Sequence, residues 1–588
     1  KGCLPMKILG INPGVSGLNF HDTSSCLIGG TTILYAEEEE RLSRVRHSSG
    51  IFPALTVARA LEMAADGGID VIAVGHDPAA WGLRDGTERP LLDASHNVAT
   101  MVDGMQSGFS EVSRLTMQIQ SLVGVGQDVP VEFWSHHYAH AISAVRCRSH
   151  SQPRCLCIVA DGVGEVSSLT VWDFDGGEGR LLEEWPVSES LGYFYAAMTA
   201  YCGFRPWSDE GKLMALAPYG APSLRLRETF DALVDGDSGQ SQMNRLITAC
   251  LTDGFYFDVD RSVRMLEEHF GVPAQKASDL SEISKGVAHL TQRYIERVVV
   301  SLARSWLERT GADVLCVAGG LFMNCKLNGV LRDSIGETAF FVQPVSGDAG
   351  VALGAAICSA AARQVGPDER FDLQNLSLGS SAGEFEVFDV WREEDRVDSL
   401  PFSEALEPLA RLLASGEIVF WVEGRMELGA RALGHRSILT TPSSTEVSRR
   451  INASIKHREM WRPFACAVLA EMAAEVLVGY RTDAAYMIEA YPVAPLWKER
   501  LAGVVHEADG STRPQVVHDA APNRQYHALI DEFYRQTGVP ALLNTSLNDR
   551  GEPLIHSYQR AFEFFMETSA TALVLDGQVL FKRPEDTL

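Results

Sequence analysis

The stretch from Lys7 to Ala36 reads KILGINPGVSGLNFHDTSSCLIGGTTILYA. Short apolar runs between Gly-rich turns predict three successive strands at 7–12, 24–28 and 32–36. A helical pattern follows at 52–65. Three strands joined by tight turns and followed by a helix predict a β-meander that leads into an α/β unit.

The same order of elements occurs again further along the chain. Apolar runs at 155–159, 168–174 and 181–187 predict three more strands, and helical periodicity begins near Leu191. The two copies share their element order but little residue identity. This repetition predicts an internally duplicated α/β domain.

A third α/β stretch contains a predicted strand at 314–318, a Gly-Gly turn and a predicted helix that begins near Phe322. From about residue 361 to residue 400 the chain becomes polar, with Gly, Pro and acidic residues in excess. Such a composition is typical of a domain boundary. We therefore expect a first domain at 6–370 and a second at 371–588.

At 588 residues the chain is too long for one compact core, so two domains are expected, with three as the alternative. No run approaches the roughly 18 apolar residues of a membrane-spanning helix. The N-terminus lacks the charged-then-apolar pattern of a secretion signal, and residues 1–5 look like an addition ahead of a native start at Met6. These features predict a cytoplasmic enzyme without membrane contact, with a homodimer as the commonest assembly.

The formal charge of −26 argues against nucleic-acid binding, which requires a basic face. It does not exclude phosphate substrates, because a few local arginines can outweigh the overall field. The chain has 11 cysteines and no CxxC pair. This pattern predicts reduced, mostly buried thiols rather than a disulfide framework or a zinc ribbon.

The first candidate site is the segment Ser135-His136-His137-Tyr138-Ala139-His140. His136 and His140 have i, i+4 spacing, so on a helix they lie one turn apart on the same face and suit one metal ion. His137 offers a weaker substitute for either. Two partly buried structural histidines would give the same spacing, and the spacing alone does not distinguish the two interpretations.

Two carboxylates favour the metal interpretation. Asp161 ends an apolar strand and is followed by glycines, a position where α/β sheets hold ligands, and Asp348 stands in a similar glycine turn. Two imidazoles with two carboxylates suit Fe²⁺, Mn²⁺ or Zn²⁺.

Two glycine loops could approach a phosphate closely, Gly319-Gly320 and the turn at 347–350. Asn324 and Asn328 follow the first loop and could bind a ribose or a substrate hydroxyl. Either loop also fits an ordinary turn, and the two asparagines also fit a solvated helix face.

Basic residues are concentrated after residue 420. Three arginines stand among glycines in the segment 423–437, and a lysine with two further arginines stands beside aromatic residues in the segment 456–464. Arg513 and the loop Asn544-Thr545-Ser546-Leu547-Asn548 complete the set. Because arginine binds phosphate in bidentate fashion, the second domain is predicted to bind a phosphorylated substrate and a triphosphate.

Together these motifs resemble the O-carbamoyltransferases of the nodulation-protein-U and cephem type, which include enzymes of antibiotic biosynthesis. The matching stretches are Phe20-His21-Asp22, Glu38 to Arg41 with Arg46-His47, the HHxxH segment, Asp161 to Glu165, Glu210 to Gly220, the two glycine loops, Glu423 to Ser437, Lys456 to Phe464 and Asn544 to Pro553. They cover almost the whole chain. One departure is Ala430, where many members of the family have proline, and it predicts a looser loop.

The resemblance implies an N-terminal domain with a duplicated actin-like (Kae1-like) fold and a YrdC-like α/β C-terminal domain. The metal, iron in this family, would be held by His136, His140, Asp161 and Asp348. The second-domain site for ATP, with its Mg²⁺, and for carbamoyl phosphate would be lined by Lys456, Arg462, Arg513, Asn544 and Ser546, with Arg431 nearby. His21 would lie where the acceptor hydroxyl arrives.

The implied activity is ATP-dependent formation of carbamoyl-adenylate from carbamoyl phosphate, followed by carbamoyl transfer to a hydroxyl of a small-molecule natural product. His21 is a candidate proton acceptor in the transfer, or a residue that only binds nucleotide or backbone. Two other functions remain open on the first domain alone: a sugar kinase of the actin-like superfamily and a tRNA-modification-type scaffold. The sequence does not identify the acceptor.

Overall fold

The computed structural model describes residues 5–13, 21–64, 68–78, 106–149, 151, 153–177, 179–235, 241–252, 256–277, 280–365, 370–373, 375–383, 397–481, 484–520 and 522–583. Residues 1–4 of the predicted N-terminal addition lie outside this set. None of the helices in the described residues is long and apolar enough to cross a membrane.

The chain divides into two compact units. Unit 1 consists of residues 1–13, 24–33 and 60–372, and unit 2 consists of residues 14–23, 34–59 and 373–588. Two N-terminal segments thus belong to the same unit as the C-terminal third of the chain. Within unit 2, Arg41 donates a hydrogen bond of 2.8 Å to the carbonyl oxygen of Gly429, and so ties one of these segments to the later chain.

The first part of the chain contains two five-stranded mixed sheets and one short hairpin. Their strands are β1 Lys7–Asn12, β2 Ser24–Gly29, β3 Thr32–Glu38, β4 Val71–Val74, β5 Val131–Phe133, β6 Arg154–Ala160, β7 Ser167–Asp175, β8 Gly179–Pro186, β9 Leu251–Thr252, β10 Tyr256–Phe257, β11 Val314–Ala318 and β12 Ala339–Val342. The first sheet has the order β3-β2-β1-β4-β5, and the second has the order β12-β11-β6-β7-β8. The α/β class predicted from the sequence is confirmed.

The two sheets repeat one topology. In the first, β1 pairs antiparallel with β2 and parallel with β4, and β4 pairs parallel with β5. In the second, β6 pairs antiparallel with β7 and parallel with β11, and β11 pairs parallel with β12. The strand order and the direction of each pairing are therefore the same in the two sheets, as expected for a duplicated domain.

The helices of the first part of the chain connect and cover these sheets. They are α1 Glu39–Ser43, α2 Ala54–Ala64, α3 Gln106–Val123, α4 His136–Cys147, α5 Leu191–Tyr201, α6 Glu210–Leu216, α7 Leu224–Val234, α8 Gln242–Cys250, α9 Val259–Phe270, α10 Glu282–Thr310, α11 Cys325–Ser334 and α12 Val351–Ala362. The helix that the sequence predicts to begin near Phe322 begins later in the structure. Gly320–Met323 forms a 3₁₀ turn, and helix α11 starts at Cys325 with Asn324 as its N-cap.

Helices α4 and α12 pack against each other at the centre of unit 1. Helix α12 also contacts β1, β2 and β4, and helix α4 also contacts β6, β7 and β11. The helices approach so closely that a Cβ atom on Gly354 would clash with the backbone carbonyl of Ala139. A Cβ atom on Gly10 would likewise clash with the backbone carbonyl of Ala352, so α12 lies directly on β1. Glycine at these positions sets the distance between the layers.

Unit 2 is built on an eight-stranded mixed sheet of order β14-β24-β23-β15-β17-β22-β18-β21. The remaining strands are β13 Ser377–Ser381, β14 Val397–Pro401, β15 Val419–Val422, β16 Arg425–Glu427, β17 Arg436–Thr440, β18 Ala465–Leu469, β19 Tyr491–Pro492, β20 Ser511–Thr512, β21 Pro514–Val517, β22 Ala541–Ser546, β23 Ala572–Leu575 and β24 Gln578–Lys582. The helices are α13 Phe402–Ala414, α14 Thr445–Ser454, α15 Ala473–Val476, α16 Arg524–Thr537 and α17 Tyr558–Glu567.

The core of unit 2 lies between this sheet and the helices. Trp421 on β15 and Tyr526 on α16 are fully buried and stack with their ring centroids 5.6 Å apart. Helices α13 and α16 pack against each other. Burial of large apolar side chains such as these stabilises the unit by roughly 25 cal/mol per Å² of apolar surface.

The cysteines follow the sequence prediction. In the part of the chain that the structure describes, each cysteine is buried and none forms a disulfide. Burial raises the pKa of most of these thiols, for example that of Cys466 to about 11. Such cysteines are structural rather than reactive.

We expect Gly354→Ala to destabilise the protein, because the new methyl group overlaps the carbonyl of Ala139. Overpacking of this kind costs about 1–3 kcal/mol. Gly211→Ala is the control, since Gly211 lies in helix α6 and no atom would lie within 4 Å of its new Cβ. The control should be neutral or stabilising, because alanine is favoured over glycine in a helix. Equal melting temperatures for the two variants in thermal unfolding would contradict this account of the α4–α12 contact.

Candidate active sites

Three elements of unit 1 bring together the predicted metal ligands. His136 is the first residue of α4, and His140 follows one turn later on the same face. Asp161 comes directly after β6, and Asp348 begins the 3₁₀ turn that leads into α12. We refer to these four residues as the four-ligand site.

The side chains of the four-ligand site converge on one point. Each offers one ligand atom, and these atoms all lie within 4.8 Å of one another. Asp161 Oδ2 lies 3.8 Å from His136 Nε2 and 3.4 Å from His140 Nε2. Asp348 Oδ1 lies 3.7 Å and 3.9 Å from the same two nitrogens.

The donor set fits a divalent metal ion. Two ligands bonded at about 2.1 Å to a tetrahedral ion stand about 3.4 Å apart, close to the separations in the site. Nε2 of His136 and Nε2 of His140 are buried and have no hydrogen-bond partner. Buried polar atoms are normally paired, so two unpaired nitrogens that face two carboxylates fit the ligand set of a metal ion.

Backbone groups hold the carboxylate of Asp161 in place. Its Oδ1 accepts a hydrogen bond of 2.8 Å from the N–H of Gly162, and its Oδ2 accepts one of 3.1 Å from the N–H of Gly320. Gly319 has a φ of 97°, and a Cβ there would clash with the backbone of Ala160. The Gly319-Gly320 turn therefore positions the carboxylate of Asp161, while its approach to a phosphate stays a prediction.

The charges of the four-ligand site favour the ionised form of Asp161. Burial by itself raises the pKa of Asp161, but His136 and His140 hold it well below its ordinary range. Burial likewise lowers the pKa of His140, but Asp161 and Asp348 raise it to about 9. A divalent cation would satisfy the same carboxylates.

His137 points away from this group. Its Nδ1 lies 3.2 Å from Thr170 Oγ1, and burial lowers its pKa to about 3. The histidine proposed from the sequence as a weaker substitute is therefore not one of the clustered ligands.

Two residues beside the site, His76 and Glu165, were not predicted from the sequence as its partners. His76 Nε2 lies 3.2 Å from His136 Nδ1, and the two rings stack with centroids 4.6 Å apart. The carboxylate of Glu165 accepts hydrogen bonds from the backbone N–H groups of His136, at 2.7 Å, and Asp77, at 3.0 Å. Glu165 thus caps the N-terminus of α4, whose Ser135 makes no side-chain cap.

Asn324 and Asn328 lie in the interior of unit 1 and not on a solvated face. The Oδ1 of Asn324 caps α11 by accepting from the N–H of Leu327, and its amide exchanges hydrogen bonds with Gln292. Asn328 donates to the carbonyl oxygen of Phe322 at 2.7 Å. These contacts fix the turn that follows Gly320, and binding of a ribose or hydroxyl stays a prediction.

In unit 2, Lys456 is buried and its ammonium is surrounded by oxygen acceptors. Its Nζ donates to the carbonyl oxygen and Oγ of Ser546 at 2.6 and 3.2 Å. It also donates to the carbonyl oxygen and Oδ1 of Asn548 at 3.0 and 2.7 Å. Burial, with the nearby charges of Arg458 and Arg462, lowers the pKa of Lys456 well below its ordinary value.

Arg458, Arg462 and Arg513 form a cation cluster with Lys456. Burial and the charges of Arg462 and Arg513 lower the pKa of Arg458 well below its ordinary value. Arg458 stacks on Phe464 at 4.3 Å and donates from Nε to Asn452. Nε of Arg513 is buried without a hydrogen-bond partner. Cations that repel one another in this way, with Lys456 among them buried, are stabilised by a bound anion.

A buried carboxylate shapes the loop that carries Arg431. Glu427 is fully buried, and it accepts hydrogen bonds from the backbone N–H groups of Leu433, His435 and Arg436. Burial raises the pKa of Glu427 to about 7. Arg431 itself is half-buried.

Asn544 holds the same loop from β22. Its Nδ2 donates at 3.1 Å to the carbonyl oxygen of Ala432 and at 3.1 Å to Oε1 of Gln515. Gln515 in turn donates to the carbonyl oxygen of Leu433 at 2.7 Å. Asn544 therefore supports the arginine loop, and direct contact with a nucleotide stays a prediction.

His21 lies in a small ionisable cluster of unit 2. Its Nδ1 is 3.4 Å from Asp22 Oδ2, whereas His47 Nδ1 is only 2.7 Å from Asp22 Oδ1. Burial raises the pKa of Asp22, but the two histidines hold it well below its ordinary range. Asp22 and His47 both have a positive φ, of 57° and 62°. Left-handed backbone at non-glycine residues is strained and often marks functional segments.

Two family models match the chain. The model described as Carbamoyltransferase N-terminus matches residues 7–357, and the model described as Carbamoyltransferase C-terminus matches residues 410–582. Together they extend over most of the described residues of both units.

Curated relatives agree with the family models. The chain is 33% identical to nodulation protein NolNO of Sinorhizobium fredii, over 99% of this chain and 84% of the relative. It is 34% identical to nodulation protein NolO of Bradyrhizobium diazoefficiens, over 76% of this chain and 79% of the relative. Nodulation protein U of Azorhizobium caulinodans is 28% identical, over 73% of this chain and 74% of that protein. The resemblance to the nodulation-protein-U type is confirmed.

We expect Asp161→Asn and His140→Ala each to weaken binding of one divalent ion by at least about 100-fold, because each removes a ligand atom or its charge. Titration of metal-free protein with Co²⁺, followed by calorimetry and by visible absorption, measures the loss. His269→Ala is the control, since His269 lies 2.8 Å from the carbonyl oxygen of Thr229, in a different part of unit 1. Unchanged affinity in either ligand variant would contradict the assignment of the four-ligand site.

Proposed function

The chain belongs to the carbamoyltransferase family, and from this premise we propose an ATP-dependent O-carbamoyltransferase that forms carbamoyl-adenylate from carbamoyl phosphate and ATP. It transfers the carbamoyl group to a hydroxyl of a small-molecule natural product. The observation that carries the proposal is the cation cluster of Lys456, Arg458, Arg462 and Arg513, in which Lys456 is buried. A site of this charge suits substrates with several phosphate groups.

The proposal includes the domain architecture. Residues 6–370 would form the actin-like (Kae1-like) domain that contains the four-ligand site, and residues 371–588 would form the YrdC-like domain that contains the cation cluster. The repeated strand order of the two sheets in unit 1 supports the first assignment. The mixed eight-stranded sheet around which Lys456, Asn544 and Ser546 are arranged supports an independent second site.

Adenylation would take place at the cation cluster. Carbamoyl phosphate and water yield carbamate and inorganic phosphate, and a carbamate oxygen then attacks the α-phosphorus of ATP and releases pyrophosphate. Lys456, Arg462 and Arg513 would neutralise the phosphates, with Mg²⁺ bound to ATP. Arg431 and Ser546 would contact the bound substrates. Enclosure of the reactants would protect the labile intermediate from hydrolysis.

Transfer would occur when the acceptor hydroxyl attacks the carbamoyl carbon and AMP leaves. His21 would accept the hydroxyl proton, a role that imidazole side chains commonly fill in enzymes. Gly319, Gly320, Asn324 and Asn328 would shape the nucleotide pocket of unit 1. A divalent ion in the four-ligand site, iron by the family resemblance and otherwise Mn²⁺ or Zn²⁺, would polarise the adenylate phosphate.

Family membership favours carbamoyl transfer over the two other functions considered from the sequence. A sugar kinase would produce ADP from ATP in the presence of a sugar and would not depend on carbamoyl phosphate. A tRNA-modification scaffold would require a basic surface, and the net charge of −26 disfavours one.

We expect wild-type protein incubated with ATP, Mg²⁺ and carbamoyl phosphate, without an acceptor, to form carbamoyl-AMP and pyrophosphate. Lys456→Met should lower this rate by at least about 100-fold, because a buried cation that neutralises phosphate charge is lost. Lys498→Met, which changes an exposed lysine of unit 2, is the matched control and should retain the wild-type rate. Mass spectrometry of the products decides the outcome. Production of ADP alone by the wild type would exclude the adenylate route.

We expect His21→Asn to lose carbamoyl transfer by about 10²–10⁴-fold while carbamoyl-AMP still forms, because only the proton acceptor is removed. Both rates are measured in the same reaction with an acceptor that the wild type carbamoylates. His47→Asn provides a comparison, since His47 contacts the other oxygen of Asp22. If His21→Asn transfers at the wild-type rate, His21 is not the base.

A further inference from the structure

The four-ligand site depends on a residue that is not itself in the ligand cluster. His136 offers Nε2 to the metal site, and its other ring nitrogen, Nδ1, faces Nε2 of His76 at 3.2 Å. His136 and His76 are both buried, so water cannot easily substitute for either partner. A histidine that ligates a metal through one nitrogen must have its tautomer fixed by a partner at the other.

The proton between the two rings can be assigned from the geometry. If Nε2 of His136 is a metal ligand, its lone pair is used there and Nδ1 carries the hydrogen. Nδ1–H of His136 then donates to Nε2 of His76, which acts as an acceptor. His76 must in turn carry its own hydrogen on Nδ1.

Glu165 favours that tautomer of His76. Its Oε1 lies 3.9 Å from Nδ1 of His76, beyond a direct hydrogen bond but close enough to attract a hydrogen on that nitrogen. The same oxygen accepts from the backbone N–H of His136 and thereby fixes the start of α4. Glu165 is itself buried, so its charge acts at short range without screening by solvent.

We infer that Glu165 and His76 form a relay that positions His136 for metal binding, with His76 as the positioning residue. In this relay the carboxylate of Glu165 attracts Nδ1–H of His76. Nε2 of His76 then accepts from Nδ1–H of His136, and Nε2 of His136 faces the ion. The inference rests on the proposed role of the four-ligand site in binding a metal. It assigns functions to two residues that spacing in the sequence does not connect, because His76 lies 60 positions before His136.

The relay has a matched internal control on the same helix. His137 is adjacent to His136 and equally buried, but its Nδ1 contacts Thr170 and it lies outside the ligand cluster. Loss of either His76 or His137 removes a buried imidazole of unit 1. Only loss of His76 removes the partner of a ligand.

The experiment uses the full chain, stripped of metal and titrated with Co²⁺, with visible absorption as the readout of coordination. His76→Leu is expected to weaken Co²⁺ binding by about 10–100-fold, the usual effect of removing a partner of a metal ligand. His76→Gln places an acceptor near the position of Nε2 and should restore most of the affinity. His137→Leu should bind within a few-fold of the wild type.

One further variant and one spectroscopic measurement make the outcome decisive. Glu165→Gln keeps an oxygen at the start of α4 but removes the charge, and it should weaken Co²⁺ binding even if His76→Leu fails to fold. Wild-type affinity in both His76→Leu and Glu165→Gln, or equal losses in His76→Leu and His137→Leu, would overturn the relay. X-ray absorption that counts three imidazoles on Co²⁺ in the wild type and two in His76→Gln would make His76 a direct ligand and would also overturn it.

The relay and the proposed carbamoyl transfer can fail separately. Formation of carbamoyl-AMP is measured in an assay that does not involve Co²⁺. If no carbamoyl-AMP forms but Co²⁺ binding still depends on His76, the proposed chemistry is rejected and the relay is supported. Normal carbamoyl transfer together with Co²⁺ affinity that is unaffected by His76→Leu would reject the relay alone.

Discussion

The contact between helices α4 and α12 determines the geometry of the four-ligand site. Gly354 of α12 meets the carbonyl of Ala139 in α4 with no side chain between them. His136 and His140 belong to α4, and Asp348 stands in the turn that leads into α12. The separation of the imidazoles from this carboxylate is therefore set by how closely the two helices pack, and close packing in turn requires a glycine.

The candidate sites of the two units attract ions of opposite charge. In unit 1, buried imidazoles face carboxylates, an arrangement that attracts a cation. In unit 2, Lys456 is buried beside the half-buried Arg458 and Arg462, an arrangement that attracts anions. A chain with a net charge of −26 can contain both because local charge at a few ångströms outweighs the distant total. The overall charge thus argues against nucleic acid as a partner but gives no information on the two sites.

The sequence was sufficient for features that depend on local periodicity and insufficient for those that depend on distant contacts. His136 and His140 were predicted from helical spacing, and Asp161 from its place at the end of a strand. His76 and Glu165 were missed as partners of the site because they reach His136 from 60 and 29 positions away. Asn324 and Asn328 were placed on one helix by spacing, but a 3₁₀ turn precedes α11 and Asn324 caps that helix. The acceptor cannot be read from any of these residues, since hydroxyl recognition needs no particular motif.

The distribution of the four ligands along the chain also constrains the order of folding. They come from three segments of unit 1, near residues 138, 161 and 348, and the last gap is much longer than the first. Closing such a loop costs conformational entropy before any ligand contact is made. Tight binding of an ion would therefore require that the two sheets and α12 have already assembled. An ion that binds only this assembled state stabilises it by mass action. Retention of a metal by the proposed site would therefore report on the integrity of the whole of unit 1 rather than on the HHxxH helix alone.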